Sequence, residues 1–455
     1  MKTLPWIILL ALGLAPAGCG RSTPVKPTAA DREPPQAANP VRVIDPLKLV
    51  LLEQSGESKT DREIRRYQKL VRTETNRELS LERLGWLFVT KARESFDPGY
   101  YKFAAACADV LAADQPGSYE ALLLHGYVLE NLHHFKEAEP IARELATHRG
   151  LQFDFGLLGD SLMEQGKLNE AVAAYQSMVN LRPDLESYAR VGYIRWLKGD
   201  TEGALEMMQL AVDAASPRDA NSAAWVTTRL AMLQFQSGKM DEAGSSAAAA
   251  LVLCSNYPPA LLLQGRLQLA QEQAEPALQK IQTAALVNPL PEYLWAQAEA
   301  LRANGRVPEA QAVEARIKMS GEANDPRTLA LFLATRGEDI PWAIQLAQDE
   351  LRQRQDGFTE DALAWALAAD GRMEEAQPHL ARALAEGTED ARLFFHAAVI
   401  FQKAGNHGAS ATWFARAAAG SQTLLPSEKT QLLQLADNFT PEKEAGPASV
   451  SISEK

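Results

Sequence analysis

Apolar residues recur along most of this chain at steps of three and four positions, the spacing of a helix with one buried face. A longer period is superimposed on these steps. One alanine returns at intervals of 34, 33, 33, 39, 34, 33, 33, 33 and 33 residues, at Ala104, Ala138, Ala171, Ala204, Ala243, Ala277, Ala310, Ala343, Ala376 and Ala409. A period of this length predicts stacked helical units rather than several independent domains, although the chain has 455 residues.

A second small residue precedes most of these alanines by twelve positions, as Gly126, Gly159, Gly192 and Gly265 show. In the eighth unit Ala330 lies one place further back. Two antiparallel helices approach closely only where small residues meet, so each unit is predicted to be a helical hairpin. The turn between its two helices often starts with glycine, which ends a helix in the left-handed conformation, and acidic residues follow in the first turn of the next helix.

This pattern resembles the tetratricopeptide repeat over residues 85–424. Tyr175 and Trp413 match a later bulky position of that family, and Pro116, Pro183 and Pro289 match its terminating proline. The resemblance implies an all-α, right-handed superhelical solenoid of about ten helix pairs that binds other proteins. The longest interval contains six extra residues near 216–221, which are predicted to lengthen a loop between units.

The first residues read as an export signal. Leu4–Ala15 is an apolar run too short to span a bilayer but of the right length for a signal peptide. The sequence that follows it, ending in Cys19, resembles a bacterial lipobox, so 1–18 is predicted to be a lipoprotein-type signal peptide and Cys19 the lipidated residue. Pro16 departs from the leucine usual there, and cleavage after Ala17 to give a soluble periplasmic or secreted protein is the alternative.

The remaining segments follow from composition. The predicted organisation after the signal is a proline-rich linker (19–46), lead-in helices (47–84), the repeat array (85–424), a capping helix beginning near Ser427 (425–437) and a disordered tail (438–455). The linker could reach on the order of 80 Å if fully extended. In lipoprotein families, Gly20 after the cysteine implies the outer membrane, here facing the periplasm.

Charge and cysteine usage exclude several classes of function. The formal net charge is −12 and no cluster of lysine and arginine is present, so no nucleic-acid partner is expected. The mean hydropathy of −0.22 excludes a multispanning membrane protein and leaves the lipid anchor as the predicted membrane attachment. The three cysteines form no CxxC pair, and neither a metal site nor a cofactor is expected.

One short motif suggests catalysis, but the residues that would have to accompany it are missing. Residues 159–162 spell the GDSL of a lipase and esterase family, but no histidine has an aspartate three residues before it to supply the base. Gly159 also falls on the small-residue position of its unit. We therefore predict no catalytic residue and no enzymatic activity.

In the tetratricopeptide-repeat family the first helix of each pair lines the concave surface. Transferred to this register, that rule predicts an aromatic concave face made of Tyr127, Phe153, Tyr193, Trp196, Trp225, Phe235, Trp295, Phe358, Trp365 and Phe394. The alternative is that these rings fill space between neighbouring repeats. The same rule places acidic residues on the N-terminal half of that face, namely Glu120, Glu130, Asp160, Glu164 and Glu186.

Together these features predict a non-enzymatic scaffold of the bacterial cell envelope that holds a protein partner in an assembly such as a secretion, pilus or polymer-export machine. The acidic half of the concave face suggests a partner with a basic segment, or alternatively only a solvated acidic surface. The rival function is a binding module for an envelope polysaccharide or peptidoglycan, whose sugar rings would stack on the aromatic residues.

Overall fold

The computed structural model describes residues 45–216 and 218–436. The predicted signal peptide, Cys19, nearly all of the predicted linker and the predicted tail lie outside these residues. The helices are α1 (Pro46–Val50), α2 (Lys59–Thr73), α3 (Glu78–Ser95), α4 (Tyr100–Asp114), α5 (Tyr119–Asn131), α6 (Phe135–His148), α7 (Gln152–Glu164), α8 (Leu168–Leu181), α9 (Leu185–Leu197), α10 (Thr201–Asp213), α11 (Ala220–Gln236), α12 (Met240–Leu253), α13 (Pro258–Ala270), α14 (Ala274–Val287), α15 (Pro291–Ala303), α16 (Val307–Asn324), α17 (Pro326–Arg336), α18 (Ile340–Gln353), α19 (Gly357–Ala369), α20 (Met373–Leu384), α21 (Ala391–Lys403), α22 (His407–Ala419) and α23 (Pro426–Ala436).

The helices from α3 to α22 form ten consecutive hairpins, which confirms the predicted all-α solenoid of helix pairs. Each odd-numbered helix packs on the even-numbered helix that follows it. Odd-numbered helices of successive hairpins also contact one another, as α13 contacts α15 and α15 contacts α17. The array therefore curves with its odd-numbered helices on the inside. No helix among the described residues is both long enough and apolar enough to cross a membrane.

Small residues allow the two helices of a hairpin to approach closely. The repeating alanine is fully buried in the first nine hairpins, from Ala104 to Ala376. At Gly159, the position twelve residues before one of these alanines, a Cβ atom would lie only 2.2 Å from the ring of Tyr175. Any side chain there would collide with a buried aromatic ring, so the requirement for glycine is steric.

The tenth hairpin departs from the predicted register. Ala409 is only half-buried, whereas Ser410 is fully buried and donates a hydrogen bond from its Oγ to the backbone oxygen of Ala398 at 2.7 Å. The crossing position is therefore Ser410, one residue later than predicted. Serine is nearly as small as alanine and satisfies its hydroxyl on the facing helix, which is why it can replace the alanine.

The six-residue insertion is divided between a loop and a helix. Helix α10 ends at Asp213 and α11 begins at Ala220, so the connection is longer than the one between α8 and α9. Helix α11 itself has 17 residues, against 13 in α9. The loop is longer, as predicted, but some of the inserted residues extend helix α11 instead of the loop.

The ends of the array also differ from the predicted bounds. Helix α3, the first helix of the first hairpin, begins at Glu78, before the predicted boundary at 85. The period marks where helices cross rather than where they start, which explains the difference. At the other end α23 begins at Pro426, and Ser427 lies inside the helix instead of capping it.

The array closes on itself along a line that we call the seam. The turns after α7, α9 and α11 meet the loops after α18, α20 and α22, which lie close to 190 residues further along the chain. The Gln355 N–H donates to the Glu164 backbone oxygen at 3.1 Å. Similarly, the Thr388 hydroxyl donates to the Leu197 oxygen at 2.6 Å, 191 residues away. Repeats in this protein therefore contact more than their immediate neighbours.

Candidate partner-binding groove

The odd-numbered helices enclose a concave groove, which is the surface where the predicted site residues should lie. A cavity of about 210 Å³ remains in the groove, lined by residues that include Arg266, Trp295, Arg327, Phe358 and Arg392. Three arginines, set among acidic and apolar side chains, could hold polar chain segments. The carboxylates of Asp325 and Asp390 at the same cavity each accept a backbone N–H at a helix N-terminus.

Five of the ten predicted groove aromatics lie in the core. Trp295 is 2% exposed and donates from Nε1 to Glu299 at 3.3 Å. Trp365 donates to the Thr335 hydroxyl at 3.0 Å and stacks on His396 with ring centroids 4.1 Å apart. The five buried members are Trp196, Phe235, Trp295, Trp365 and Phe394. These side chains pack repeats together and are not free to contact a partner.

Four other predicted aromatics are half-buried, namely Tyr127, Tyr193, Trp225 and Phe358. Tyr193 lies beside Trp196 and under the guanidinium of Arg229, whose Cζ is 5.1 Å from the ring centroid. Only Phe153, among the ten, is an exposed large apolar side chain, with 55% of its surface accessible. It is therefore the aromatic residue best placed to contact another molecule.

Four of the five predicted acidic residues of the N-terminal half have cationic partners within the chain. Arg190 contacts Asp160 and Glu186, each at 2.8 Å, and Tyr175 donates its hydroxyl to Asp160 at 2.8 Å. Arg149 lies 3.3 Å from Glu120. These carboxylates are therefore neutralised by the protein's own arginines, which removes much of the charge that would attract a basic segment.

Glu164 is paired across the seam. Its carboxylate lies 2.6 Å from the guanidinium of Arg354, which is 12% exposed and also faces Glu350 at 3.7 Å. The same guanidinium lies over the ring of Phe135, at 5.2 Å from its centroid. This predicted groove residue thus joins two distant parts of the array.

Glu130 is the acidic residue whose titration is most affected by its surroundings. Burial, together with the negative charges of Asp160 and Glu164, raises the pKa of Glu130 to about 8, against the opposing effect of Arg190 and Arg93. The carboxylate accepts a hydrogen bond from the amide of Asn131 at 2.6 Å. The protonated form of Glu130 is therefore favoured relative to that of an exposed glutamate.

We expect the pH dependence of stability to reveal this group. Because the folded pKa exceeds the ordinary value of 4.5, folding takes up a proton between pH 4.5 and 8, and Glu130 makes stability fall as the pH rises through that range. Glu130→Gln, which can still accept from Asn131, should flatten this slope in urea unfolding curves recorded from pH 5 to 9. The matched control Glu144→Gln, on the surface in α6, should keep the wild-type slope; an unchanged slope in Glu130→Gln would contradict the assignment.

Several residues that shape this groove had weak or no signals in the sequence. Arg190 follows Glu186 by four positions, a helical ion-pair spacing that could have identified it. Arg354 likewise follows Glu350 by four positions, but its pairing with Glu164, 190 residues away, leaves no signal in the sequence. The GDSL serine, Ser161, is fully buried in α7 and so cannot reach a substrate.

The fold and the groove define a helical repeat protein. A family model described as the tetratricopeptide repeat matches residues 157–220, 262–326 and 362–423. Each matched segment corresponds to two successive hairpins, the first being α7 to α10. The matched segments are therefore similar to tetratricopeptide repeats, and the hairpins between them have the same alanine register. Repeats of this family typically form interaction scaffolds for proteins, and no catalytic family is indicated.

Solved structures with similar architecture are distant in sequence. The chain is similar to the APC/C hetero-tetramer Cut9–Hcn1 (14% identity, TM-score 0.41, 84% of this chain and 63% of that chain). It is also similar to yeast Tom70 (14%, 0.35, 84% and 92%) and to the human IFIT1 dimer with PPP-AAAA (12%, 0.45, 82% and 94%). It thus spans less than two thirds of the Cut9–Hcn1 chain that it matches. No curated protein matches the sequence.

Proposed function

We propose that the protein is a non-enzymatic scaffold of the bacterial cell envelope that binds other proteins through its repeat array. The observation that carries this proposal is the array itself, in which ten hairpins present a continuous surface and the seam holds distant repeats together. Extended segments and helices are the partners that such long surfaces accommodate.

The envelope location is proposed from the sequence of the leader. An apolar run followed by Ala-Pro-Ala-Gly-Cys supports export and lipidation at Cys19, with an outer-membrane anchor facing the periplasm. The proline-rich segment that follows would hold the array away from the membrane. The proposed work is to retain a partner in an assembly such as a secretion, pilus or polymer-export machine.

The polysaccharide alternative has less support. It requires a series of accessible aromatic rings, and five of the ten candidates are buried, including Trp196 and Trp295. A basic partner segment is also weakly supported, because Arg190 and Arg354 already neutralise the acids that would attract it. A protein partner that approaches the exposed Phe153 is the simpler proposal.

Site-specific photo-crosslinking tests this function in the native envelope. A photoreactive amino acid replaces Phe153 in the full chain, and a second variant carries it at Val172, which is 39% exposed on the neighbouring helix α8. We expect one envelope protein to be captured at Phe153 and not at Val172. An excess of wild-type competitor chains should abolish this capture, whereas an excess of Phe153→Ala chains should not. Equal capture at both positions, or none, would reject Phe153 as a contact. In parallel, Cys19→Ser should abolish labelling by radioactive palmitate.

A further inference from the structure

The chain's own C-terminal segment occupies part of the concave groove. A short 3₁₀ helix at Ser421–Thr423 leads into α23, and both contact odd-numbered helices of earlier hairpins. Helix α23 packs on α15 as well as on its neighbour α22, and the 3₁₀ helix packs on α11, α13 and α21. A segment from the end of the chain therefore lies where the concave surface would receive a partner.

Two carboxylates fix the start of α23. Glu299 of α15 accepts from the Ser427 hydroxyl at 2.7 Å and from the Ser427 N–H at 3.0 Å, across 128 residues of sequence. Glu428 is fully buried, and its carboxylate accepts from Nε and Nη2 of Arg392 on α21, at 2.6 and 3.1 Å. One acid thus comes from the groove and the other from the segment, so that each side supplies a partner for the other.

Further polar bonds extend along the segment. Arg266 donates to the Thr423 oxygen at 2.6 Å, and the Gln431 amide donates to the Thr335 oxygen on α17 at 3.3 Å. Apolar burial comes from four leucines, which are Leu424, Leu425, Leu432 and Leu435. By contrast Leu433, on the outer side of α23, is 63% exposed. Contacts that rely this much on side-chain hydrogen bonds resemble exchangeable interfaces more than a fixed apolar core.

We propose that this region of the groove is the binding site for an amphipathic helix of a partner protein, and that residues 421–436 occupy it as an intramolecular competitor that the partner helix displaces. The proposal rests on the scaffold function proposed above and specifies its partner. The helix that fits has two leucines before it, a proline at its first position, a hydroxyl at its second, a carboxylate at its third and leucines along one face. A helix whose first turn lacked this hydroxyl and this carboxylate would leave Glu299 and Arg392 without the hydrogen bonds that Ser427 and Glu428 make with them.

The test uses a labelled synthetic peptide, Ser421–Ala436, and full-length protein. In Glu428→Arg the charge of the chain's own segment is reversed against Arg392, so the segment should leave the groove. This variant should bind the wild-type peptide, in fluorescence anisotropy, at least tenfold more tightly than the wild-type protein does. The matched control Thr430→Arg places the same arginine at an exposed position of α23 and should bind like wild type. A Glu428→Arg peptide should bind none of these proteins.

The outcomes separate a competitor from a permanent cap. If Glu428→Arg retains its helical circular dichroism and binds the peptide no more tightly than wild type, the proposal is overturned. If that variant does not fold, hydrogen exchange on wild-type protein decides. The added peptide is isotopically heavy, so that its fragments differ in mass from the chain's own. Faster exchange within 421–436 on addition of excess peptide supports displacement, and unchanged exchange refutes it. Because the peptide derives from this chain, the result does not depend on whether cross-linking at Phe153 captures an envelope protein.

Discussion

Trp295→Ala should lower the free energy of unfolding by about 3–5 kcal/mol, the usual range for removing a large buried aromatic side chain. Trp295 is 2% exposed, lies edge-on to Phe332 with ring centroids 5.7 Å apart, and supports the guanidinium of Arg392. Its loss would leave a cavity between hairpins and remove a hydrogen-bond donor from Glu299. Urea unfolding followed by circular dichroism at 222 nm measures the change.

Phe153→Ala is the matched control, because it removes an aromatic side chain that the same family rule placed on the concave face. More than half of the Phe153 side chain is exposed, so we expect a change within about 0.5 kcal/mol. If both variants lost several kcal/mol, Phe153 would have a packing role that its exposure does not indicate. If Trp295→Ala were neutral, the surroundings of Trp295 would be much more loosely packed than its 2% exposure indicates.

The fold could be predicted from the sequence because it depends on residues that must be small at fixed intervals. Ala171 and Gly159 are required where two helices cross, and their spacing is visible without any tertiary information. The same logic explains the one misplaced alanine. Ala409 and Ser410 are adjacent small residues, and only packing shows that Ser410 is the one that meets the facing helix.

The groove was less predictable because the family rule assumes an open concave face. That rule assigns a direction to each side chain but not what covers it. Trp196, which the rule assigned to the concave face, stacks on Phe358 and donates from Nε1 to the Glu389 oxygen, 193 residues away. Likewise, the sequence does not show that the negative charge of Glu164 is neutralised by Arg354. Contacts between distant repeats have no period in the sequence, so they leave no pattern to find.

Closure along the seam changes how stability should be distributed. In an open solenoid each repeat depends on its neighbours, and the ends can unfold separately. Here the turn after α7 is bonded to the loop after α18, so opening either one removes bonds from the other. The central repeats and the C-terminal repeats should therefore unfold together, and residues at the seam should contribute more to stability than surface residues of similar chemistry.

Arg354→Ala tests that consequence, with an expected loss of about 3–5 kcal/mol because Glu164 and Glu350 would remain as poorly exposed carboxylates without their cation. Arg352 provides the control two positions earlier. It also pairs with an acid, Asp349, but it is 68% exposed, so Arg352→Ala should change stability by no more than about 0.5 kcal/mol. Urea unfolding measures both variants, and hydrogen exchange of the turn 164–167 should accelerate only in Arg354→Ala. A loss confined to the loop after α18, with that turn still protected, would mean that the seam does not couple the two parts of the array.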